Sequence, residues 1–423
     1  MKRIAIIVLT LVFCASMVFA GGRSSGAAGG AKEILLVSNK VEIDSALKGY
    51  AAVYERQSGV KVNVRSIGGE NPYAPNLVAM FNSGTEPEIF VFEGKAGVDD
   101  ARRGARLTDL SNEPWVRDTD LGYVDPTNRQ IIGFPVAVEG WGLGYNKALL
   151  ARAGVDPRSM TNIAGMKAAF ERIDSMKAQL GLDAVVSMAA GPGMTWVTGL
   201  HAMNAYLTLG LPYANSTRYL DMLNNRQIDN ARATAFAEYM ELLFRYSIRN
   251  DLLTGGYDQQ IGSFANQKTM FIHQGNWIDP SYADMNIRFE MGYVPHAFLP
   301  ETTDGIFVGA PSWYLVNAKS RNVDEAKKLL IAMASTPEGH DYMVNKAGMV
   351  PAFKSVRLSP SGQLSKAVQE WLGQGKIYAW QQNEMPAGFG MDTMGPIFTQ
   401  LAQGQTNVAG FVRLFAEAAA NIR

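Results

Sequence analysis

The chain has 423 residues, and its 39 Lys and Arg residues balance its 39 Asp and Glu residues, so its formal net charge is zero. This balance and the absence of a long basic run argue against a nucleic-acid-binding surface. The single cysteine, Cys14, lies in the N-terminal apolar segment, so a chain without that segment has no disulfide, cysteine metal ligand or thiolate nucleophile. The length predicts two or three domains rather than one.

The N-terminus has the layout of a secretory signal peptide. Met1-Lys2-Arg3 is basic, and the run from Ile4 to Ala20 is apolar and carries no charge. Its last residues, Val18-Phe19-Ala20, have the pattern that a signal peptidase recognises. We therefore predict a signal peptide over residues 1–20, export to the periplasm or another extracytoplasmic space, and a flexible linker rich in Gly, Ser and Ala over residues 21–32.

Two other interpretations of the N-terminal segment stay open. A membrane anchor would need a longer apolar run than the one that ends at Ala20. Lipidation at Cys14 would be unusual because a bulky residue, Phe13, precedes it.

Strand and helix patterns alternate in the next part of the chain. Apolar or alternating runs predict strands at Glu33–Val37, Val60–Val64 and Glu88–Phe92. Apolar residues at helical spacing predict one helix over Ile43–Arg56 and a second that ends before Gly84. This order of elements predicts a parallel sheet joined by right-handed crossovers.

An unusual segment follows, in which an apolar run from Phe134 ends on Glu139, Gly140 and Trp141. A buried carboxylate is costly without partners, so Glu139 is expected either at a surface or where a ligand binds. Gly140 has no side chain and would let another molecule approach. A structural ion pair between Glu139 and a nearby arginine is the alternative.

The remaining elements are mostly helical. Helical spacing predicts helices over Ala164–Leu180, Ala231–Ile248 and Val408–Ile422. Asn322 and Glu325 have the spacing of a capping box at the start of another helix. Three further apolar runs predict strands, at Lys268–Ile272, Phe289–Pro295 and Trp313–Asn317.

Several segments, in this order, resemble the family 1 (sugar-type) extracellular solute-binding proteins of ABC importers. They are Gly133–Lys147, Phe264–Trp277, Tyr293–Pro295, Asn322–Met333 and Gly348–Pro351. The resemblance implies an α/β fold of the periplasmic-binding-protein type. Two lobes, each a mixed sheet flanked by helices, would be joined by three hinge crossings, and the ligand would lie between them.

The resemblance also sets the expected boundaries. It places residues 33–138 and 296–350 in the first lobe and residues 139–295 and 351–423 in the second. The three crossings are expected at the following positions: Pro135–Glu139, Val294–Ala297 and Val350–Phe353.

Two residues are the main candidates for ligand contacts. The resemblance implies that Glu139 accepts a hydrogen bond from a hydroxyl group and that Trp277 stacks on the apolar face of a sugar. Further candidates lie near strand ends, where open α/β sheets bind ligands: Trp141, Glu93, Phe92, Asn39 and Trp313. The alternatives are a core position for Trp277, a cover over the hinge for Trp141, a half-buried position in a strand for Trp313, and a solvated loop position for Glu93. We predict no catalytic residue, metal ligand or cofactor.

The predicted function is capture of a mono- or oligosaccharide by closure of two lobes, followed by delivery to the membrane permease of an ABC importer. A monomer is expected. One alternative is a secreted glycoside-acting enzyme that uses Glu93 and Glu139 as its carboxylate pair. The sequence has no H-E-x-x-H motif, and its G-x-S-x-G match at Gly22–Gly26 falls in the Gly- and Ser-rich segment predicted as a linker, not at a strand-to-helix turn, so neither pattern supports an enzyme of another class. The other alternative is a binding protein for a polyol or a glycerol phosphate.

Overall fold

The computed structural model describes residues 32–68 and 72–422. The predicted signal peptide, Cys14 and nearly all of the predicted linker therefore lie outside the described residues. In the part of the chain that is described, no helix is both long enough and apolar enough to cross a membrane.

The strands belong to two mixed sheets. In chain order they are β1 (Glu33–Ser38), β2 (Lys61–Ser66), β3 (Ile89–Phe92), β4 (Tyr123–Val124), β5 (Ile131–Pro135), β6 (Glu139–Asn146), β7 (Ala184–Ser187), β8 (Thr269–Gly275), β9 (Met291–Val294), β10 (Ile306–Gly309), β11 (Trp313–Val316) and β12 (Ile377–Tyr378).

Helices cover both sheets and are more numerous in the second half of the chain. They are α1 (Asp44–Ser58), α2 (Tyr73–Asn82), α3 (Gly94–Arg103), α4 (Lys147–Ala153), α5 (Ile163–Leu180), α6 (Met203–Thr208), α7 (Arg218–Asn224), α8 (Asn230–Arg245), α9 (Arg249–Thr254), α10 (Tyr257–Ala265), α11 (Asp279–Asp284), α12 (Val323–Ser335), α13 (Pro337–Asp341), α14 (Gln363–Gly373), α15 (Gly395–Gln403) and α16 (Val408–Ala420).

The first sheet has the order β2-β1-β3-β11-β5-β4. Strand β1 runs parallel to both β2 and β3, which confirms the parallel pairing predicted from the alternating strand and helix patterns. Strand β11 then joins antiparallel to β3 and β5, so the complete sheet is mixed. All four residues of β3 are buried because helices cover both faces of this central strand, as a parallel α/β sheet requires.

The second sheet has the order β12-β10-β6-β8-β7, and β9 also pairs with β6. Strand β6 is its centre, with antiparallel pairing to β8, β9 and β10. Since the first residue of β6 is Glu139, the run that begins at Phe134 is not one strand. Strand β5 of the first sheet ends at Pro135, and strand β6 of the second sheet begins at Glu139.

The chain passes between the two sheets three times. One passage joins β5 to β6, and a second joins β10 to β11 through residues 310–312. The third follows the π-helical turn Tyr342–Lys346, where Val350 pairs with Val138 in an isolated antiparallel bridge. Three crossings were predicted, and the first and third lie where they were expected.

The predicted second crossing, at Val294–Ala297, is wrong, because β9 and β10 on either side of it both belong to the second sheet. The placement of residues 296–350 in the first lobe is wrong for β10 for the same reason. Strand β10 is a short apolar run, Ile306–Gly309, whose sheet is decided by its register against β6, with Phe307 opposite Trp141. Such a run has no local feature that identifies its partner.

The predicted capping box at the start of α12 is also wrong. The side chain of Asn322 forms no cap and instead donates from Nδ2 to the backbone oxygen of Glu33, at 2.9 Å. Glu325 pairs with Lys32 and Lys328. The pairing of α12 with the start of β1 therefore replaces the local cap. True side-chain N-caps are found at Asn146 and Asn162, before α4 and α5.

Candidate functional site

Loops at the strand ends of both sheets meet between the lobes. Asn39 and Lys40 follow β1, and Glu93 follows β3, in the first lobe. Glu139 starts β6 and Trp277 follows β8 in the second lobe. Four predicted site residues, Asn39, Glu93, Glu139 and Trp277, thus lie at one inter-lobe cleft, together with Lys40. The cleft is at the edge where open α/β sheets bind ligands.

The centre of this cleft is an ion pair that joins the lobes. Lys40 Nζ lies 2.6 Å from Glu139 Oε1, and the two side chains are only 12% and 9% exposed. This answers why a strand begins on a carboxylate: Glu139 is buried but has a cationic partner. The alternative expectation that an arginine would pair with Glu139 is wrong, because the partner is a lysine from the loop after β1.

Two more carboxylates surround this pair. Burial lowers the pKa of the Lys40 ammonium, but the carboxylates of Glu139, Glu42 and Glu93 raise it, and the net result lies above its ordinary value. Burial raises the pKa of Glu42 to about 7, against the opposing effect of Lys40. Burial likewise raises the pKa of Glu93, although Lys40 and a hydrogen bond from Asn39 act in the other direction. The positive charge of Lys40 therefore interacts with three carboxylates.

Asn39 and Glu93 interact directly. Asn39 Nδ2 donates a hydrogen bond to Glu93 Oε1 at 2.7 Å, which fixes both side chains beside the ion pair. Asn39 Oδ1 is buried and has no hydrogen-bond partner among the described residues. The amide oxygen is thus an acceptor that an incoming donor can use.

The second lobe contributes aromatic rings to the cleft. Trp277 is half-buried, and its Nε1 donates to Gln274 Oε1 at 2.8 Å, which fixes the plane of the indole. The His201 ring centre lies 4.8 Å from that of Trp277, 5.2 Å from that of Trp196 and 6.0 Å from that of Trp380. We call these four residues the aromatic group. Half-buried indoles of this kind offer faces for the C–H surface of a sugar.

Trp141 does not reach the cleft. Its side chain is fully buried in the second-lobe core, and its ring stacks on Phe307 with 4.2 Å between centres. The two roles considered were stacking on the ligand and covering the hinge, and the complete burial of the side chain argues against stacking. Gly140 was expected to let a ligand approach. A Cβ there would lie 2.7 Å from Val368, so a protein side chain already occupies that space.

Phe92 and Trp313 lie together in the first lobe. Their rings stack with 5.7 Å between centres, and Trp313 also contacts Tyr123 at 4.9 Å. Trp313 Nε1 donates to the backbone oxygen of Leu121 at 2.7 Å. Phe92 is buried, whereas Trp313 stays half-buried as part of this first-lobe aromatic patch.

The lobes also touch at the residue that follows Glu93. Gly94, the first residue of α3, has a φ of +60°, and a Cβ there would lie 2.0 Å from the backbone oxygen of Asn383 in the second lobe. Only glycine permits both this conformation and this approach. The cavity lined by Lys40, Glu42, Glu139 and Trp277 has a volume of about 20 Å³, room for one water rather than a sugar ring. The lobes are therefore close together in this conformation.

Sequence reasoning missed Lys40, Glu42 and Trp380 as members of the site. Lys40 directly follows Asn39 at the end of β1, so its position was a usable signal. Trp380 follows the short strand β12, which has too few residues to give a strand pattern. His201 lies on a π-helical turn, Val197–Ala202, a feature found often at functional sites.

Three of the chain's four histidines, His201, His273 and His296, are buried and neutral. Burial lowers the pKa of His273 to about 3 and lowers those of His201 and His296 well below the ordinary value. The aromatic group lies beside the ion pair, because Trp277 lines the same cavity as Lys40 and Glu139. Within residues 32–68 and 72–422, no three His, Cys, Asp or Glu side chains are grouped so as to hold a metal ion.

Comparison with known proteins identifies the family. The bacterial extracellular solute-binding protein family matches residues 49–381 of the chain. The multiple sugar-binding protein of Streptococcus mutans is 21% identical over 355 residues, which cover 80% of this chain and 81% of that protein.

Solved structures show the same fold. A Bacillus licheniformis sugar transporter in complex with stachyose aligns with a TM-score of 0.73 at 18% identity, over 92% of this chain and 100% of that chain. The binding protein MsmE of Bacillus subtilis, in an open conformation, aligns with a TM-score of 0.71 at 18% identity, over 93% and 98% of the two chains. The two-lobe fold that was predicted is confirmed, and the chain belongs to the bacterial extracellular solute-binding proteins.

Proposed function

We propose that this protein is the solute-binding component of an ABC importer for carbohydrates. The observation that carries the proposal is the inter-lobe cleft itself, in which carboxylate and amide groups of one lobe face indole rings of the other. Hydroxyl groups of a sugar need such acceptors, and its C–H faces need such rings. The Streptococcus mutans relative is named a multiple sugar-binding protein, and the Bacillus licheniformis structure contains stachyose. Both support this ligand class.

The mechanism is capture by closure. Lys40, Asn39 and Glu93 belong to the first lobe, whereas Glu139 and Trp277 belong to the second, so a ligand completes its contacts only when the lobes approach. Such a ligand binds the closed form more tightly and shifts the population towards it. The described cavity is too small for a sugar, so binding begins from a more open arrangement.

The remaining parts of the proposal follow from the family. The chain is exported by the signal peptide over residues 1–20, acts as a monomer in the periplasm or an equivalent space, and docks on a membrane permease when loaded. Its lobes comprise residues 33–138 and 310–350, and residues 139–309 and 351–423, which moves β10 into the second lobe.

A glycerol phosphate is a poorer ligand for this cleft than a neutral sugar. Three carboxylates and one lysine meet there, and a phosphate would face net negative charge. The glycosidase alternative needs one carboxyl as acid and the other as nucleophile or base. The ion pair with Lys40 occupies Glu139 and leaves it poorly placed for that role.

The test is a titration of the purified mature chain with neutral mono- and oligosaccharides, sugar acids and glycerol phosphate, followed by chromatography of the ligand. We expect one-to-one binding of a carbohydrate, recovery of that carbohydrate unchanged, and a smaller radius of gyration in X-ray scattering. Cleavage products would overturn the proposal in favour of the enzyme, and binding restricted to phosphates would overturn it in favour of that alternative.

A further inference from the structure

We propose that the carbohydrate taken by this cleft carries a protonated amino group. The inference rests on the proposed function and deepens it, because it names a class of sugar. Its basis is the mismatch between the number of carboxylates in the cleft and the number of cations that serve them.

The charge around Lys40 is unbalanced. Its ammonium group lies against Glu139 at 2.6 Å, whereas Glu93 receives only the amide of Asn39. Glu42 has no ion-pair partner within 4 Å among the described residues. Carboxylates removed from water without a cation are costly, and a second ammonium group in the cleft would offset that cost. A neutral sugar would supply hydrogen bonds but would leave the excess charge in place.

A second and independent observation comes from unpartnered polar atoms. His201 is 7% exposed, and its Nδ1 has no hydrogen-bond partner in the described part of the chain. Because the ring is neutral, one of its two nitrogens is a hydrogen-bond acceptor. The buried Oδ1 of Asn39 is another acceptor that lacks a donor. Both atoms suit a ligand that brings N–H and O–H donors.

The aromatic group suits the same ligand. Trp196, Trp277 and Trp380 surround His201, and ammonium groups are attracted to indole faces. Tyr257 connects this group to the carboxylates: its ring lies 6.1 Å from that of Trp196, and the charges of Glu42 and Glu139 act on its hydroxyl. Trp277, Glu42 and Glu139 line the same cavity, where a sugar ring can stack while its amine meets an acid once the lobes open.

The experiment uses matched sugars and the mature wild-type chain. Calorimetry compares the glucosamine trisaccharide with its N-acetylated counterpart and with cellotriose, and galactosamine and mannosamine with their neutral parents, at a pH where the amines are charged. A charge-assisted hydrogen bond is worth about 1–1.5 kcal/mol more than a neutral one, so we expect at least one aminated sugar to bind about tenfold more tightly than its neutral counterpart.

Variants locate the effect. Glu42→Gln and Glu93→Gln should each reduce the preference for the aminated sugar, because each removes a carboxylate and keeps its shape. Glu301→Gln is the matched control, since Glu301 is exposed and far from these contacts in the sequence and the fold. If a cleft variant fails to fold, the comparison of sugars on the wild-type chain decides alone.

The outcomes separate this inference from the proposed function. Equal or tighter binding of the neutral sugars overturns the inference and leaves the proposed function standing. Failure of every aminated sugar to bind overturns the inference as well. Binding of spermidine without binding of any sugar overturns both, because the cleft would then accept an amine that is not part of a carbohydrate.

Discussion

The two sides of the cleft are built from different chemistry. The first lobe provides Lys40, Glu42 and Glu93, half-buried side chains whose charges act on one another. The second lobe provides the aromatic group around His201, in which the polar atoms are few and mostly neutral. Glu139 adds one carboxylate to the second lobe, but most of the charged groups and the aromatic group lie on opposite sides. A ligand that needs both kinds of contact is therefore held best by the two lobes together. The difference between the sides thus makes closure depend on the ligand.

Removal of the cation between the lobes should have the largest effect. Lys40→Met leaves Glu139 buried beside two other carboxylates, which costs the closed form about 3–5 kcal/mol. This exceeds the few kcal/mol that usually separate two conformations, so the variant should be mostly open. X-ray scattering should show a larger radius of gyration than for the wild type.

Two further variants check that result. Lys40→Met combined with Glu139→Gln should restore the compact form, since no uncompensated charge remains at that position. Lys48→Met removes an exposed lysine that pairs with Asp44 on α1, and it should leave the radius unchanged. A compact Lys40→Met protein would show that the charged side does not control closure.

Loss of the central indole should have the next largest effect. Trp277→Ala should weaken binding of the preferred sugar by about 1–3 kcal/mol, because truncation of an aromatic anchor removes its stacking contact. Calorimetry measures the change, and Tyr213→Ala, at an exposed aromatic residue, is the control. Wild-type affinity in Trp277→Ala would mean that the second lobe binds by other groups.

The charged side also predicts a dependence of stability on pH. The pKa of Glu42 is raised from 4.5 to about 7 in the folded chain, so between these values the folded state holds a proton that the unfolded state has released. Its contribution to the free energy of unfolding is therefore present below pH 4.5 and is lost as the pH rises through 7, by about 1–3 kcal/mol.

Urea unfolding of the wild type and of Glu42→Gln across this range measures that contribution. The wild type should lose stability relative to the variant as the pH rises from 4.5 to 7. A constant difference between the two proteins would show that Glu42 titrates normally and that the charged side is better solvated than its burial indicates.

The smallest effect is expected at Trp313. Its ring is held by Phe92, Tyr123 and the backbone of Leu121, within the first lobe. Trp313→Phe should weaken sugar binding by less than about 1 kcal/mol, because stacking on the ligand is assigned to the second lobe. A loss as large as that of Trp277→Ala would show that both lobes stack on the ligand.

Much of the fold could be predicted from the sequence because its signals are local. The strands β1 to β3 and the helices α5 and α8 have clear apolar periods, and their observed bounds differ from the predicted ones by three residues or fewer. The sheet of β10 could not be predicted, because its four apolar residues fit either lobe and only pairing with β6 decides between them. The capping box failed because Asn322 has a more distant partner in Glu33.

The site was less accessible to sequence reasoning than the fold. Glu139 and Trp277 were named from the family resemblance together with their neighbours in the sequence, but Lys40 has the appearance of a solvated loop residue. Its burial depends on Glu139, which lies 99 positions further along the chain. Trp141 was named because it follows Glu139 at the expected hinge, yet the pairing of β6 with strands on both sides places it in a core. Contacts between distant segments, not local patterns, decide these cases.

The contact between Gly94 and Asn383 sets a lower limit on the width of the cleft. A side chain at position 94 would meet the backbone of Asn383, so it would push α3 away from the second lobe. A graded series of residues at this position would therefore vary the resting gap of the protein in small steps. That property would make the chain a convenient scaffold for optical reporters of ligand concentration. The concentration range of such a reporter would depend on the distance between the lobes in the ligand-free protein.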